Sequence, residues 1–505
     1  MINSLAARMR TTIQGGAYKW WVFGVVQFSV LLVGIDSTAV NLAFPTISSE
    51  MRVSVSQAQW VIAGYLIATA LSSLPAGGRV ADLLGRKTVF LGGFVLFTLG
   101  SASCGLAPNI EVLIAMRVLQ AIGGAVLLVN SNVITLAVFP LAQHGLAMGI
   151  IGTVFCTGYA LGFILGGWLI SAFGWRSIFF INIPVGIIAI ILGFGILIES
   201  RLNMGGKRSG TFDFAGLIFF VLAVGGLMVG LEGCAAHGSP TGRDAALLSL
   251  GVISLAVFIR VELRNPSPLL DVRLFRLPVF TVGVSTRFLI NGLMNATSFF
   301  IPFYTQVVLG FTPLHGGLIM LPYAIAGALV GPFAGALSDK VGARCLMAGG
   351  LLCSALALLG LSGLSQVPSG ESTVAMAAQV ALGMFFFGGA CGLFVPTNNS
   401  MTLDAVPRER AGAASGCIWC LCFLGSAAGT AFSAAMLHQG EKSASGGEMA
   451  AHHAVLPLTS PQMQHAIVSQ QTQVFHILVF LSLLGAIVCL WRGAGRHREM
   501  KMLPE

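Results

Sequence analysis

The stretch GRVADLLGRKTVFLGG, residues 78–93, recurs farther along the chain as GALSDKVGARCLMAGG, residues 335–350. At a constant offset of 257 residues, the two stretches share four glycines and one aspartate. Repeats separated by about half a chain indicate two halves that share one fold. A second set of identities lies at an offset of 267 residues, where Asn132, Pro140, Gly145 and Gly149 match Asn399, Pro407, Gly412 and Gly416.

Long apolar stretches surround both copies of this repeat. Of the 505 residues, 56% are apolar and only 9% are charged, whereas a soluble domain carries about 25% charged residues. This composition excludes a soluble enzyme, a nucleic-acid-binding protein and a secreted protein built on disulfides. A membrane-spanning helix needs about 20 apolar residues, and by that criterion the chain contains fourteen spans: Trp20–Ala43, Ala58–Gly77, Val89–Leu106, Val112–Ala137, Ala147–Ala172, Ile178–Ile198, Phe214–Leu231, Ala245–Val261, Val279–Tyr304, Gly317–Leu337, Cys345–Leu364, Val374–Val395, Ala411–Met436 and Val474–Trp491.

The repeat divides these spans into two equivalent sets. Its first copy lies between spans 2 and 3 and its second between spans 10 and 11, so the order is six spans, two extra spans and six spans. We therefore predict an all-α polytopic membrane protein with two six-helix halves, residues 1–200 and 276–505, joined by residues 201–275, which contain the two extra transmembrane helices. Two like-oriented halves are typical of secondary transporters, whose substrate site lies between the halves.

The lysines and arginines lie mostly on one side of the predicted membrane. With the first segment inside, 21 of the 27 basic residues fall in inner segments and only four fall in outer segments. Cytoplasmic segments carry an excess of lysine and arginine. One span more or fewer in mid-chain would place every later segment on the opposite side of the membrane, and the excess would be lost. We therefore expect both termini to be cytoplasmic. The first 19 residues have no signal-peptide pattern, so span 1 is expected to be retained.

Asp36 is the one carboxylate that falls clearly inside a span, and Arg117 lies at a similar expected depth in span 4. Charges at this depth are costly and mark function or a paired partner. Burial disfavours an ionised carboxylate, whereas a neighbouring arginine favours it. Such a pair could load and release a proton as the protein opens to either side. The alternative is a static ion pair that only fixes helix packing.

Arg287, in span 9, is the other charged residue well inside a span. It could face an anionic group of a substrate. We expect instead that its long side chain reaches the cytoplasmic interface or forms a structural pair, because arginine can extend its charged end to water.

The loop between spans 2 and 3 combines glycines with charged residues. Its glycines permit a tight turn, and Asp82 could cap the next helix or pair with a basic neighbour. Such contacts can form in one conformation and break in another, as a gate requires, whereas a basic anchor at the membrane surface is the alternative. The residues of this candidate gating loop are Gly78, Asp82, Gly85, Arg86 and Lys87, with Asp339 matching Asp82 in the second half.

Span 5 carries four glycines at close spacing, Gly158, Gly162, Gly166 and Gly167. Small residues four positions apart make a flat face on which another helix can lie close. We expect this glycine face to pack against a neighbouring helix.

Several motifs resemble the major facilitator superfamily, and specifically its fourteen-span drug:proton antiporter branch. IDSTAVNLAFP, residues 35–45, resembles the first-span signature of that branch, and RVLQAIGG, residues 117–124, resembles its span-4 motif. GRVADLLGRK, residues 78–87, is similar to the superfamily's loop after span 2, and WRSIFFINIP, residues 175–184, is similar to the start of span 6. The resemblance covers nearly the whole chain and implies the major facilitator fold.

The same resemblance implies roles for individual residues. Asp36 would take up and release the coupling proton, Arg117 would tune it, and the cluster around Asp82 would belong to the inner gate. The chain departs from the family pattern in span 5, where Phe163 follows Gly162 and a proline is usual.

Polar and aromatic residues within the apolar spans are candidates for a substrate cavity. An apolar cavity with a few polar groups suits hydrophobic or amphipathic compounds, including organic cations that Asp36 would balance. For each residue alone, helix packing is the alternative role. The candidates are Tyr65, Gln120, Asn130, Asn132, Asn291, Asn295, Tyr304, Tyr323, Asn398, Asn399 and Trp419.

The leading hypothesis is a proton-coupled exporter of such compounds that works by alternating access in the inner membrane of a bacterium. Export of an endogenous lipid, siderophore or metabolite, an uptake symporter, and a non-transporting membrane sensor are the alternatives. A sensor would be expected to lose Asp36 or Arg117, and both are present.

Cofactors and partners follow from this hypothesis. The sequence has no phosphate-binding loop of the type G-x4-G-K-S/T, so we expect no use of ATP and take the proton gradient as the energy source. We expect no enzymatic activity, no cofactor, no bound metal and no nucleic acid. The expected partners are the lipid bilayer, a small-molecule substrate and protons, and the expected state is a monomer.

Overall fold

The computed structural model describes residues 17–53, 55–77, 79–140, 143–202, 213–237, 241–265, 268–364, 372–407, 410–444 and 461–491. Within these ranges the regular structure is entirely helical. The long helices are α1 Tyr18–Glu50, α2 Val55–Gly77, α3 Arg86–Gly105, α4 Ile110–Val138, α5 His144–Phe173, α6 (Ser177–Phe180 with Asn182–Ile196), α7 Phe214–His237, α8 Gly242–Arg264, α9 Pro278–Phe303, α10 Pro313–Val341, α11 Ala343–Ser362, α12 Ser372–Asp404, α13 Ala411–Ala444 and α14 Pro461–Trp491.

Short helical segments connect some of these helices. Arg79–Leu84 lies between α2 and α3, Glu199–Leu202 follows α6, and a 3-10 turn, Val272–Arg276, precedes α9. A π-helical turn, Tyr304–Val308, continues α9 and begins two residues after Pro302. Proline has no backbone N–H, so it interrupts the regular ladder of helix hydrogen bonds at this point.

Each long helix corresponds to one of the fourteen predicted spans, although several extend beyond the predicted limits. α14 begins at Pro461 rather than Val474, and α12 continues to Asp404 rather than Val395. The added turns contain polar residues, which a hydropathy criterion leaves out. Within the described ranges, thirteen helices are long and apolar enough to cross a membrane. α9 has the length, 26 residues, but polar residues such as Arg287 lower its hydropathy.

The helices of the two halves pack in the same pattern. In the first half, α1 packs on α5, α2 and α3 pack on α4, and α3 packs on α6. In the second half, α9 packs on α13, α10 and α11 pack on α12, and α11 packs on α14, which is the same arrangement eight helices later. The repeat in the sequence therefore corresponds to a repeat in three dimensions.

Two helix pairs provide most of the contact between the halves. α5 packs along α10, and α2 packs along α13, so each half contributes equivalent helices. The two extra helices, α7 and α8, pack on one another, and α7 also contacts α2 and α13. α7 therefore lies beside one of the two pairs through which the halves meet.

The repeated loop has the same backbone conformation in both halves. Gly85 immediately precedes α3 with φ 93° and ψ 138°, and Gly342 immediately precedes α11 with φ 92° and ψ 135°. Residues with a Cβ avoid this positive φ. The turn therefore explains why both copies of the repeat have glycine at this position.

Large apolar side chains cover the outside of the helix bundle. Examples from both halves are Leu99, Ile191, Phe333 and Phe480, each of which is more than half exposed. Such a surface would be unfavourable in water. In a bilayer, hydrocarbon surrounds these side chains while each helix satisfies its own backbone hydrogen bonds.

Candidate functional site

The carboxylate of Asp36 lies at the centre of a hydrogen-bond network inside the first half. Asp36 is 1% exposed, and its Oδ2 accepts a hydrogen bond from Nη1 of Arg117 at 2.6 Å. Its Oδ1 accepts hydrogen bonds from Nε2 of Gln120 at 2.9 Å and from Nδ2 of Asn182 at 3.1 Å. Helices α1, α4 and α6 therefore converge on one carboxylate, and both of its oxygens have partners, as a buried charge requires.

Arg117 is buried as well, and three helices fix its guanidinium. Nη1 donates to Asp36 in α1 and also to Oε1 of Gln120 in α4, at 2.7 Å. Nε donates to the backbone oxygen of Val61 in α2 at 3.4 Å. The guanidinium carbon lies 4.0 Å from the ring centroid of Tyr65, which is the geometry of a cation–π contact. The sequence-selected residues Asp36, Arg117, Gln120 and Tyr65 are thus brought together.

Two members of this network, Asn182 and Ser101, are not among the residues selected from the sequence. Oγ of Ser101 accepts hydrogen bonds from Gln120 at 3.2 Å and from Asn182 at 3.0 Å, and it donates to the backbone oxygen of Phe179 at 2.9 Å. Asn182 lies within the motif at residues 175–184, so an amide in an apolar span was an available signal. Ser101 offered none, because serine is common in membrane helices.

A small cavity lies between the halves, directly beside the Asp36 network. Arg117 and Tyr65 form part of its wall, and Asp36 lies next to the wall residue Ser37. The cavity volume is about 30 Å³, which is room for about two water molecules and far below the roughly 300–1,000 Å³ of ligand sites. The other wall residues are Asn41, Ile62, Leu66, Phe155, Tyr159, Asn291, Met294, Asn295, Ser298, Trp419, Cys422, Phe423 and Ser426.

Four of the eleven sequence-selected cavity candidates line this cavity: Tyr65, Asn291, Asn295 and Trp419. The two asparagines contact α13, where Nδ2 of Asn295 donates to Oγ of Ser426 at 2.7 Å and Oδ1 of Asn291 accepts from Sγ of Cys422 at 3.0 Å. α9 and α13 are therefore joined by polar contacts at the cavity itself.

The other seven candidates lie elsewhere in this structure. Gln120 belongs to the Asp36 network. Amide groups of two others join neighbouring helices: Asn130 donates to the backbone oxygen of Ala76, and Asn398 donates to that of Gly283. The remaining four are Asn132, which contacts α13, Asn399, which is half-buried near the end of α12, Tyr304, whose hydroxyl donates to Sδ of Met376, and Tyr323, whose ring stacks on Phe387.

The cavity is closed toward both faces of the bundle. We call the face at which α1 begins the lower face and the face at which α1 ends the upper face. Toward the lower face, Nδ2 of Asn132 in α4 donates to Oγ of Ser415 in α13 at 3.4 Å. Toward the upper face, the ring centroid of Phe44 in α1 lies 5.9 Å and 5.6 Å from those of Phe299 and Phe303 in α9. The structure is therefore an occluded conformation.

Three of the four glycines selected in span 5 face α1. A Cβ added at Gly158 would lie 2.9 Å from the backbone oxygen of Leu31, and one added at Gly162 would overlap Oγ1 of Thr38. Gly166 packs on α1 one turn farther along. α1 and α5 therefore approach each other more closely than side chains would allow, and the contact includes the turns of α1 that flank Asp36.

Gly167, the fourth glycine, belongs to a different contact. A Cβ at this position would lie 3.0 Å from the backbone of Leu314 in α10, so Gly167 faces the second half and is not part of the face directed at α1. Phe163, which stands where the family has a proline, is fully buried, and its backbone oxygen lies against Gly317 of α10. α5 thus contacts α1 on one side and α10 on the other.

The second half contains the counterpart of the α1–α5 contact. Gly425 and Gly429 of α13 lie 267 residues after Gly158 and Gly162, and a Cβ at either position would overlap backbone of α9. These glycine pairs lie at the same offset of 267 residues as the second set of identities in the sequence.

Glu199, just after α6, caps the start of α3. Its Oε1 accepts a hydrogen bond from the backbone N–H of Arg86 at 2.7 Å, and its Oε2 accepts one from that of Lys87 at 2.9 Å. A carboxylate at this position satisfies free N–H groups and interacts favourably with the helix dipole. Glu199 thus caps α3 from the segment that follows α6.

The remaining gating-loop residues are only partly described. Nζ of Lys87 donates to the backbone oxygen of Phe194 at 2.9 Å, which again ties α3 to α6. Gly78 and the side chains of Asp82 and Asp339 lie outside the described part of the structure, so their expected contacts stay predictions.

Replacing Glu199 with glutamine should destabilise the protein by about 1–2 kcal/mol, because one of the two capping bonds and the negative charge are lost. The measurement is the midpoint of thermal unfolding in detergent. Glu50→Gln, at the exposed end of α1, is the control and should leave the midpoint unchanged. Equal midpoints for the two variants would contradict a stabilising cap.

Arg287 of α9 is a second buried cation next to the cavity. It is 3% exposed, its Nη2 donates to Sγ of Cys422 at 3.9 Å, and its guanidinium carbon lies 5.8 Å from the ring centroid of Trp419. Among the described residues, its Nε and Nη1 have no hydrogen-bond partner and no carboxylate pairs with it. The expectation that Arg287 reaches the interface is therefore wrong, because the packing of α9 on α13 directs the side chain inward. The alternative expectation of a structural pair finds no carboxylate partner among the described residues.

These observations define a membrane protein built from two equivalent six-helix halves, with a buried charged network and a cavity where the halves meet. That is the architecture of a secondary transporter. The family model of the Major Facilitator Superfamily matches residues 26–430. The chain belongs to this superfamily, whose members are transporters rather than enzymes.

Individual relatives agree with this assignment. The riboflavin transporter RibZ of Clostridioides difficile is 30% identical over 82% of this chain and 87% of its own length. The multidrug resistance protein Stp of Mycobacterium tuberculosis is 33% identical over 80% of this chain and 73% of its own length. The crystal structure of a bacterial homolog to the human lysosomal transporter Spinster, inward-facing and unoccupied, is 18% identical and matches with a TM-score of 0.60 over 94% of this chain and 97% of that one.

Proposed function

We propose that this transporter is proton-coupled and exports hydrophobic or amphipathic compounds, often cationic, by alternating access. The observation that carries the proposal is the position of Asp36. This buried carboxylate is paired with Arg117 and adjoins the wall of the cavity between the halves. A group that binds a proton there can be coupled to opening of the cavity toward either face.

The contacts of Asp36 supply a physical route to proton exchange. The donors of Arg117, Gln120 and Asn182 stabilise the ionised carboxylate. When helix movement draws these donors away, burial disfavours the charge and the carboxyl group takes up a proton. Proton binding at Asp36 and substrate binding in the neighbouring cavity can then alternate, as antiport requires.

The cavity walls favour substrates with an aromatic or apolar body. Their aromatic residues come from α2, α5 and α13, and amide groups come from α1 and α9. This combination of apolar surface and few polar groups suits amphipathic compounds. The relative Stp is named as a multidrug resistance protein, which also supports drug export. In the occluded structure the cavity is too small for such a compound, so the halves must separate for binding.

Transport of an endogenous compound is the second candidate, since the relative RibZ is named as a riboflavin transporter. A polar ring system such as riboflavin could also use the aromatic and amide groups of the cavity. The same proton-coupling residues would serve either substrate.

The proposal includes an orientation. We place the lower face and both termini in the cytoplasm, and the chain, as a monomer, in the inner membrane of a bacterium. The proton gradient is its only energy source, without ATP or a cofactor. The loop with Gly78, Asp82 and Gly85, together with Asp339, then forms the inner gate, and residues 201–275 link the two transporting halves.

Transport by the purified protein in proteoliposomes tests the proposal. With an acidic lumen, ethidium should accumulate inside as protons leave, and an uncoupler should abolish the accumulation. Vesicles without protein are the control. Ethidium movement that ignores the pH gradient would contradict proton coupling. Gradient-driven movement of riboflavin without movement of ethidium would favour the second candidate.

A further inference from the structure

We propose that Arg287 binds the anionic group of a transported compound, so that acidic aromatic amphiphiles, meaning molecules with an aromatic body and one carboxylate, are substrates of the same cavity. This inference rests on the proposed transport function and adds anionic compounds to its substrate class. It starts from a guanidinium that is 3% exposed and, within the described residues, has two nitrogens without a hydrogen-bond partner.

The guanidinium reaches the cavity wall through α13. Nη2 donates to Sγ of Cys422 at 3.9 Å, and the guanidinium carbon lies 5.8 Å from the ring centroid of Trp419. Both of these residues line the cavity, and so does Asn291, which lies one turn after Arg287 on α9. A compound whose ring packs on Trp419 would therefore place a short acidic substituent near the unpartnered nitrogens.

The chemistry of arginine selects the kind of ligand. Nε and Nη1, the two unpartnered nitrogens, point to different sides of the planar guanidinium, so a carboxylate oxygen can accept a hydrogen bond from either of them and balance the positive charge. A buried charge without a partner is unfavourable, so a ligand that supplies the missing negative charge gains affinity from it.

The charges around the cavity differ between the halves. In the first half, Arg117 is balanced by Asp36. In the second half, Arg287 faces the thiol of Cys422 and the indole of Trp419, which are both uncharged groups. With Asp36 ionised, the three charged groups leave a net positive charge beside the cavity, and a monoanionic substrate would neutralise it.

Binding of a matched pair of probes tests the inference with purified full-length protein in detergent. 1-Pyrenebutyrate and 1-pyrenebutanol share one aromatic body and differ in the anionic group. We expect the wild-type protein to bind the butyrate at least tenfold more tightly than the alcohol. In Arg287→Met, the affinity for the butyrate should fall at least tenfold and that for the alcohol should stay the same.

The thermal midpoint of the free protein separates binding from structure. Arg287→Met removes an unpaired buried charge, so the midpoint should rise, whereas removal of a structural residue would lower it. Arg260→Met, at an exposed position of α8, is the control and should change neither affinity nor midpoint. If Arg287→Met does not fold, Arg287→Lys is the replacement, because it keeps the charge without the planar group. It should weaken binding of the butyrate and leave binding of the alcohol unchanged.

Three results would overturn the inference: equal affinity of wild-type protein for the two probes, no binding of the butyrate at all, or an equal loss of both affinities in the Arg287 variants. Gradient-driven ethidium transport by the wild-type protein is independent of these measurements. If ethidium transport persists while the butyrate preference is absent, the inference about Arg287 fails and the proposed function stands.

Discussion

Asp36→Asn is expected to abolish gradient-driven transport and to lower stability. Asparagine preserves the size of the side chain and one acceptor oxygen, but it cannot bind the coupling proton. Arg117 would stay buried without its counter-charge, and loss of one partner of a buried pair costs about 3–5 kcal/mol. Ethidium accumulation in vesicles with an acidic lumen and the thermal midpoint in detergent measure the two effects.

Two further variants separate coupling from folding. Asp271→Asn breaks the surface pair with Arg410, which is 49% exposed. Such pairs contribute about 0–1 kcal/mol, so transport and midpoint should stay close to wild type. The double variant Asp36→Asn with Arg117→Gln removes both buried charges and should recover much of the midpoint without recovering transport. Full accumulation by Asp36→Asn would place the proton site elsewhere.

Gly162→Ala is expected to have the second-largest effect, a destabilisation of about 3 kcal/mol with loss of transport. The added Cβ would overlap Oγ1 of Thr38 and lie 2.6 Å from the backbone oxygen of Ile35, both on α1 beside Asp36. Overpacking of a close helix contact moves the backbone, which would displace the carboxylate from its donors. The thermal midpoint and ethidium accumulation measure both consequences.

Gly349→Ala in α11 is the matched control, since a Cβ there would meet no atom within 4 Å. Its midpoint should stay the same or rise slightly, because alanine favours a helix more than glycine does. Gly429→Ala, in the equivalent contact of the second half, should lower the midpoint as Gly162→Ala does. If Gly162→Ala behaves like Gly349→Ala, α1 and α5 do not depend on their close approach.

The architecture was largely predictable from the sequence, and the fourteen helices are confirmed. The bilayer forces each crossing segment to satisfy its own backbone, so a span leaves a long apolar signal that needs no knowledge of its neighbours. The repeat around Asp82 and Asp339 then ordered the spans into two halves. Gly85 and Gly342 of that repeat adopt a positive φ at a local backbone turn. A turn of this kind can be predicted from the sequence, because it depends on the glycine and not on distant helices.

The candidate site was only partly predictable, because its contacts join helices that are distant in sequence. Equal depth brought Asp36 and Arg117 together in the prediction, but depth says nothing about which face of a helix points inward. For that reason the sequence does not identify Asn182 or Glu199 as site residues, although both make contacts between helices in the structure. The direction of the Arg287 side chain could not be predicted either, since only the packing of α9 on α13 fixes it.

The volume of the closed cavity, about 30 Å³, has a consequence for affinity measurements. A drug-sized molecule can bind only to the fraction of molecules that have already opened, so its apparent dissociation constant is the intrinsic one divided by that fraction. Variants that loosen the contacts near Phe44 or Ser415 should therefore tighten apparent binding without altering a single cavity residue. The population of open molecules then sets the measured affinity for a substrate as directly as the shape of the pocket does.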